Sequence, residues 1–212
     1  DTKYNQDPIS WKNQLNSIKK ILIKNISKSK SNNPLKNKIF WNIKSLTNSF
    51  ILPRNFQFRK LKSSEISLIL KHYSALKKIK KLKSPALILE DDIILKPESK
   101  VLIKDAYKLC KKKYDYIDLG GGCNLPIFKE DVPEINNERF INLQIPRSRT
   151  TAAYMLTPKA AAKLYDDIFP IVMPLDWQYQ YIFIKRGLKV SWANPPAFVH
   201  GSEKKYKSSI RN

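Results

Sequence analysis

The stretch PALILEDDIILKP, from Pro85 to Pro97, decides how the rest of this chain is read. Ala86 to Leu89 form a short apolar run, and three carboxylates, Glu90, Asp91 and Asp92, follow at once. Ile93, Ile94 and Leu95 then resume the apolar pattern. A run of roughly four to eight apolar residues closed by prolines suits a buried strand. An acidic cluster leaving such a strand is costly unless a cation offsets it. A hard divalent ion, Mg²⁺ or Mn²⁺, is one offset for oxygen ligands. The other reading is a turn between two strands with its carboxylates in water. Spacing alone leaves both open.

Outward from this stretch, strands and helices alternate. Ile66, Ile69, Leu70, Tyr73, Leu76 and Ile79 recur at helical spacing, with Ser63 or Ser64 placed to cap them. A second helix is expected from Pro97 to about Lys113, with proline in its first turn. YDYIDLGGG, residues 114–122, reads as a strand closed by a glycine turn, and residues 123–138 read as a loop. Strands are expected near Phe140 to Ile145, Thr150 to Leu156 and Leu188 to Trp192. Helices are expected from Pro158 and over Trp177 to Lys185, the latter stopped by Gly187. The pattern predicts an α/β domain with a mixed, mostly parallel sheet flanked by helices. In such sheets ligands gather at the carboxyl ends of strands, where Glu90 to Asp92 fall. Residues 1–50 stand apart as a Lys- and Asn-rich region, with a helical stripe at Trp11, Leu15, Ile18, Leu22 and Ile26 and a loop at residues 27–34. Residues 51–200 form the expected core, and residues 201–212 a basic tail.

Three blocks in order resemble glycosyltransferase family 25, which includes lipooligosaccharide and collagen galactosyltransferases. KLKSSEISLILKHYSALKKI, residues 60–79, is similar to the family's segment built around "GE…SH…AL". ALILEDDIIL resembles its acidic motif. RTTAAYMLTPKAAAKLYDDI, followed by MPLDWQYQYIF, resembles its strand-and-helix block and its "P-hydrophobic-D" motif. The family's opening "INL-D/E-R…R" strand motif is not found in residues 1–50. The resemblance implies a GT-A-like single domain. It further implies an inverting sugar transfer from a nucleotide sugar, by default a UDP-sugar carrying galactose, to a lipopolysaccharide or other glycan or glycolipid acceptor.

Candidate roles follow from that chemistry. The leaving diphosphate needs neutralising, the acceptor hydroxyl must lose a proton, and the donor must be held in line. Glu90 and Asp92 are the candidate metal ligands, with His200 as a third by analogy with other GT-A enzymes. Residues i and i+2 share a side of an extended chain. Asp91 is a candidate for the donor's ribose or sugar. Arg149, Thr151 and Tyr154 open the strand that the resemblance places at the donor site, with core packing as the alternative for Tyr154; a cation at Arg149 suits a phosphate or an acceptor anion, and a surface position beside Arg147 is its alternative. Asp176 is the candidate general base, and a helix N-cap is its alternative role. His72, at the family's "SH" position, reads as a structural hydrogen-bonding residue.

Bulk properties set limits. The 212 residues carry 40 Lys and Arg against 18 Asp and Glu, a net charge of +22. Such a field favours anionic partners, including an anionic membrane face carrying a lipid-linked acceptor. No nucleic-acid-binding signature accompanies it, so no specific nucleic acid is expected. No apolar run approaches the roughly 20 residues of a membrane span. Cys110 and Cys123 make no disulfide framework and fit a cytoplasmic setting, peripheral at the inner face of the membrane.

Overall fold

The computed structural model describes residues 61–201, except residues 124, 126, 130, 135, 136, 170 and 172. The expected helix and loop of residues 1–50, and the tail beyond residue 201, lie outside the described residues.

Helix α1, Ser63–Ile79, buries Ile69, His72, Leu76 and Ile79, as its apolar spacing dictates. Its cap is not the expected serine. Lys62 is the N-cap, and its backbone N–H donates to Glu65 Oε2 at 2.8 Å, closing the first turn from within. Strand β1, Ala86–Leu89, leads through the acidic turn into β2, Ile93–Leu95. Helix α2, Ser99–Lys112, starts two residues after Pro97. Ser99 Oγ accepts from the Lys96 amide at 2.8 Å and donates to the Ala197 carbonyl, tying the helix start to the segment after Asn194.

Strands β3 (Tyr116–Asp118), β4 (Val132–Glu134), β5 (Asn137–Asn142) and β6 (Ala153–Leu156) follow. Helix α3, Pro158–Asp167, has proline in its first turn and is capped by Thr157, whose hydroxyl accepts from the Ala160 amide at 3.1 Å. Helix α4, Leu175–Arg186, has Pro174 as its N-cap, which puts Asp176 inside the first turn and not at the cap. It ends at Gly187, whose φ of +59° is the left-handed conformation that glycine supplies most easily. Strands β7 (Val190–Ala193) and β8 (Phe198–His200) complete the order.

The fold is α/β with one mixed six-stranded sheet, in the order β1-β6-β3-β7-β5-β4. The expected parallel predominance is corrected: β3 and β7 run parallel, while the ladders β1·β6, β3·β6, β5·β7 and β4·β5 are antiparallel. The alternation of strands and helices does not reveal this, because β6 reaches its place between β1 and β3 from a loop and not through a helical crossover. Among the described residues β1 is an edge strand and not a buried one, with Leu89 exposed.

Side-chain alternation builds a core on each face. Tyr154 and Leu156 of β6, with Tyr116 of β3, face α1, α3 and α4. Ala153 and Met155, with Ile117, face Leu102, Ala106 and Cys110 of α2. A fully buried Leu or Ile such as Leu76 or Ile69 contributes about 1.5–3 kcal/mol relative to exposure. Since β1 and β3 are both antiparallel to β6, and β7 is parallel to β3, their carboxyl ends lie along one edge.

Candidate functional site

That edge collects the acidic motif after β1, the glycine turn after β3, the start of β6 and the loop from β7 to β8. The Glu90 amide donates to the Ala152 carbonyl at 2.7 Å, which sets the motif against the start of β6. A turn at Asp91 and Asp92 then reverses the chain into β2. β2 pairs with β8 in a separate two-stranded ladder, with Ile93 opposite His200 and Leu95 opposite Phe198. The Gly201 amide donates to the Asp92 carbonyl at 2.6 Å and closes that ladder. His200 therefore lies in a strand, and this ladder holds it beside the motif.

The two outer carboxylates of the motif engage different partners. Asp92 Oδ2 lies 3.5 Å from His200 Nδ1. Its other oxygen, Oδ1, is buried without a hydrogen-bond partner. Glu90 Oε1 accepts from Thr151 Oγ1 at 3.0 Å and lies 3.2 Å from His72 Nε2. Burial acts to raise the Glu90 carboxyl, but the bonds from His72 and Thr151 hold it below the ordinary carboxylate range. Asp91 is exposed. Among the described residues no three His, Cys, Asp or Glu side chains converge as a closed metal cage.

The residues present fit a divalent ion held from one side. A buried carboxylate oxygen without a donor is costly as it stands, and a cation satisfies it. Mg²⁺-type sites commonly take one or two carboxylates and complete their shell with phosphate oxygens and water. Asp92 offers one such carboxylate, with the His200 imidazole beside it.

Tyr154, expected at the donor site, is completely buried on β6. Its hydroxyl bonds to His72 Nδ1 at 2.8 Å and to Tyr179 Oη at 3.3 Å, so it stands behind Glu90. Asp176 is half-buried near the start of α4, where its Oδ1 accepts from the Trp177 amide at 3.0 Å. Burial pushes its carboxyl up to about 6, against the opposing pull of that amide and of the Arg149 guanidinium. Arg149 thus acts on the candidate base, and Thr151 on the candidate metal motif.

Two buried polar residues stand beside these candidates. His72 is the hydrogen-bonding residue the sequence suggests, and Asp118 is one that the sequence reading did not single out. The signal for His72 was its place between Ile69 and Leu76 on a buried stripe, where a polar ring must find partners. Asp118 is fully buried at the end of β3, where its two carboxylate oxygens accept from the Gly120 and Gly122 amides at 2.7 and 3.2 Å. An Asp followed two residues later by glycine is the signal for such a side-chain-to-backbone turn. The glycines are packed tight: a Cβ on Gly122 would lie 2.5 Å from the Trp192 ring. Trp192 in turn donates from Nε1 to the Arg147 carbonyl at 3.0 Å. The Arg147 side chain is buried between Phe128 and Trp192 and paired with Asp131.

No curated protein matches the chain. The model of glycosyltransferase family 25 (LPS biosynthesis protein) matches residues 9–178. The match starts within the Lys-rich N-terminal region and covers α1, the acidic motif, β6 and Asp176, but stops short of β7 and β8. Over most of its length, then, the chain belongs to glycosyltransferase family 25 and is a nucleotide-sugar-dependent glycosyltransferase of LPS biosynthesis.

Proposed function

We propose that this enzyme transfers a hexose, by default galactose from a UDP-sugar, to a lipopolysaccharide acceptor with inversion and with a divalent ion, Mn²⁺ or Mg²⁺. The observation that carries the metal reading is the buried, donorless Oδ1 of Asp92 beside His200. Asp92 and His200 would hold the ion, and Glu90, with Oε1 already taken, adds charge and its remaining oxygen. Bound there, the ion neutralises the diphosphate leaving group.

The chain's own groups do the rest. Inversion needs one base on the acceptor side, and Asp176 suits it. A carboxyl raised to about 6 is still ionised near neutral pH, yet is basic enough to take the acceptor hydroxyl's proton. The proton moves to an Asp176 oxygen as the acceptor oxygen bonds the anomeric carbon and the bond to the diphosphate breaks. Arg149 balances the charge at Asp176. Asp91 would meet the donor's ribose or sugar, a reading that its exposure in the turn supports.

The acceptor lies in a membrane, and no helix among the described residues is long and apolar enough to cross one. The net charge of +22 suits peripheral docking on an anionic leaflet. The direct test is thermal stability with UDP, GDP and CMP, each with and without Mn²⁺, because ligands of the native state raise Tm by mass action. A Mn²⁺-dependent shift with UDP alone is expected. Shifts that ignore Mn²⁺ would sink the metal reading, and a preference for GDP or CMP would sink the UDP assignment.

A further inference from the structure

We propose that His72 is the positioning residue of the acidic motif: its imidazole fixes the rotamer of Glu90, and Tyr154 and Tyr179 fix the imidazole, so that Glu90 meets the metal-bound donor with one defined oxygen. The proposal rests on the transferase reading above and adds to it a residue outside the motif.

The geometry is a single bonded line across four elements. Tyr179 Oη on α4 lies 3.3 Å from Tyr154 Oη on β6, which lies 2.8 Å from His72 Nδ1 on α1. His72 Nε2 lies 3.2 Å from Glu90 Oε1 at the end of β1. An ionised carboxylate only accepts, so Nε2 carries the hydrogen in this line. Thr151 Oγ1 donates to the same oxygen at 3.0 Å. Two donors on Oε1 pin the carboxylate and leave Oε2 as the oxygen free of these two bonds.

The imidazole itself is locked. His72 is 4% exposed, with neighbouring Ile69 and Leu76 at 0%. Its ring stacks on Tyr154 at 5.8 Å between centroids and meets Tyr179 edge-on at 6.4 Å. Tyr154 is backed by Tyr116 at 4.8 Å. Both ring nitrogens are engaged and both flanks are filled, so the ring has no second orientation that keeps its bonds. Tyr179 follows Asp176 by three residues on α4, close to one helical turn. The same line therefore ties the helix carrying the candidate base to the strand carrying the acidic motif.

A purely structural histidine would change stability and leave donor binding alone, which separates the two roles. The experiment compares wild type with His72→Ala, His72→Gln and Tyr154→Phe. Calorimetry measures the Kd of UDP with saturating Mn²⁺ and of Mn²⁺ with saturating UDP, and steady-state kinetics measures donor and acceptor KM. Loss of an outer partner of a metal ligand typically costs about 10–100-fold in metal affinity or activity. His72→Ala is expected to weaken Mn²⁺ and UDP binding by that factor with acceptor KM unchanged, and His72→Gln, which can still donate to Glu90, to recover part of it. Tyr154→Phe keeps the ring stack and is expected to weaken binding several-fold, which carries the test if His72→Ala does not fold. The chain has two histidines, so ¹⁵N spectra of the ligand-free protein resolve them, and His72 is expected with Nε2 protonated.

Folded variants that bind Mn²⁺ and UDP as wild type does would overturn the proposal, as would a bare Nε2 on His72. Wild-type protein that binds no metal–nucleotide pair would instead sink the transferase reading, and the proposal with it.

Discussion

Asp92 Oδ2 and His200 Nδ1 lie 3.5 Å apart, although α2 and the strands β3 to β7 intervene in the chain. The β2·β8 ladder, with Ile93 opposite His200, makes this approach a consequence of backbone pairing and not of side-chain reach. Asp92→Asn is expected to abolish the Mn²⁺-dependent rise in Tm with UDP. His200→Ala should weaken Mn²⁺ binding at least tenfold, about 1.4 kcal/mol, with little loss of stability. Calorimetric titration of Mn²⁺ into each variant checks both, and unaltered Mn²⁺ affinity in both would remove the pair from the metal site.

The Asp176 carboxyl, raised to about 6 by burial, predicts a pH profile. A base works only when ionised, so kcat/KM, which reports the free enzyme, should fall tenfold per pH unit well below about 6. Asp176→Asn should lower kcat by about 10²–10⁴-fold while leaving the Kd for Mn²⁺ and UDP unchanged. A variant that loses donor binding along with turnover would point to a donor-site role for Asp176 instead.

Asp118 predicts a stability effect of the same origin with no catalytic part. Burial raises its carboxyl to about 7, while the Gly120 and Gly122 amides pull the other way. The folded protein therefore holds this proton at pH values where the unfolded chain has released it. Stability from this group is full below the unfolded value near 3.8 and is lost as pH rises through about 7. Urea unfolding at pH 5 and pH 8 should show wild type losing a few kcal/mol across that interval, an order-of-magnitude expectation, and Asp118→Asn losing less. An equal loss in both proteins would mean that Asp118 ionises freely in the fold.

Gly122 predicts a packing effect. Its φ of +70° disfavours any side chain, and a Cβ would lie 2.5 Å from the Trp192 ring. Gly122→Ala should destabilise by about 1–3 kcal/mol for strain and more for the displaced indole. Gly187, with a φ of +59° and no atom within 4 Å of a Cβ, isolates the backbone part alone. Gly187→Ala should cost roughly 1–2 kcal/mol. Denaturant midpoints of the two variants give the difference.

Much of this architecture is written in local pattern. The helical stripe of α1, the run ALIL, Pro158 behind the Thr157 cap and the Gly187 stop each announce themselves, because each depends on residues a few positions apart. Strand direction is not local. Nothing in AAYML says that β6 inserts antiparallel between β1 and β3. The candidate site divides the same way. Glu90, Asp92 and Asp176 were legible as carboxylates in a recognisable order, and His200 was expected beside the motif by analogy alone; the approach of Arg149 to Asp176 was not legible. His72 was legible as a hydrogen-bonding residue, but its partners Glu90, Tyr154 and Tyr179 lie outside its own helix and were not. Tyr154, read as lining the donor site, is buried and bonded to His72 and Tyr179 instead, which its own strand does not reveal either.

The closing ladder also sets a clock. During synthesis the chain emerges from its N-terminal side at roughly 5–20 residues per second. Asp92 therefore leaves the ribosome on the order of ten seconds before His200 at such rates. Until Phe198 to His200 arrive, β2 has no strand to pair with among the described residues, and Asp92 has no imidazole beside it. The nascent enzyme carries its acidic motif early but cannot close the ladder beside it, so a stalled or truncated product would carry the motif without its proposed metal site.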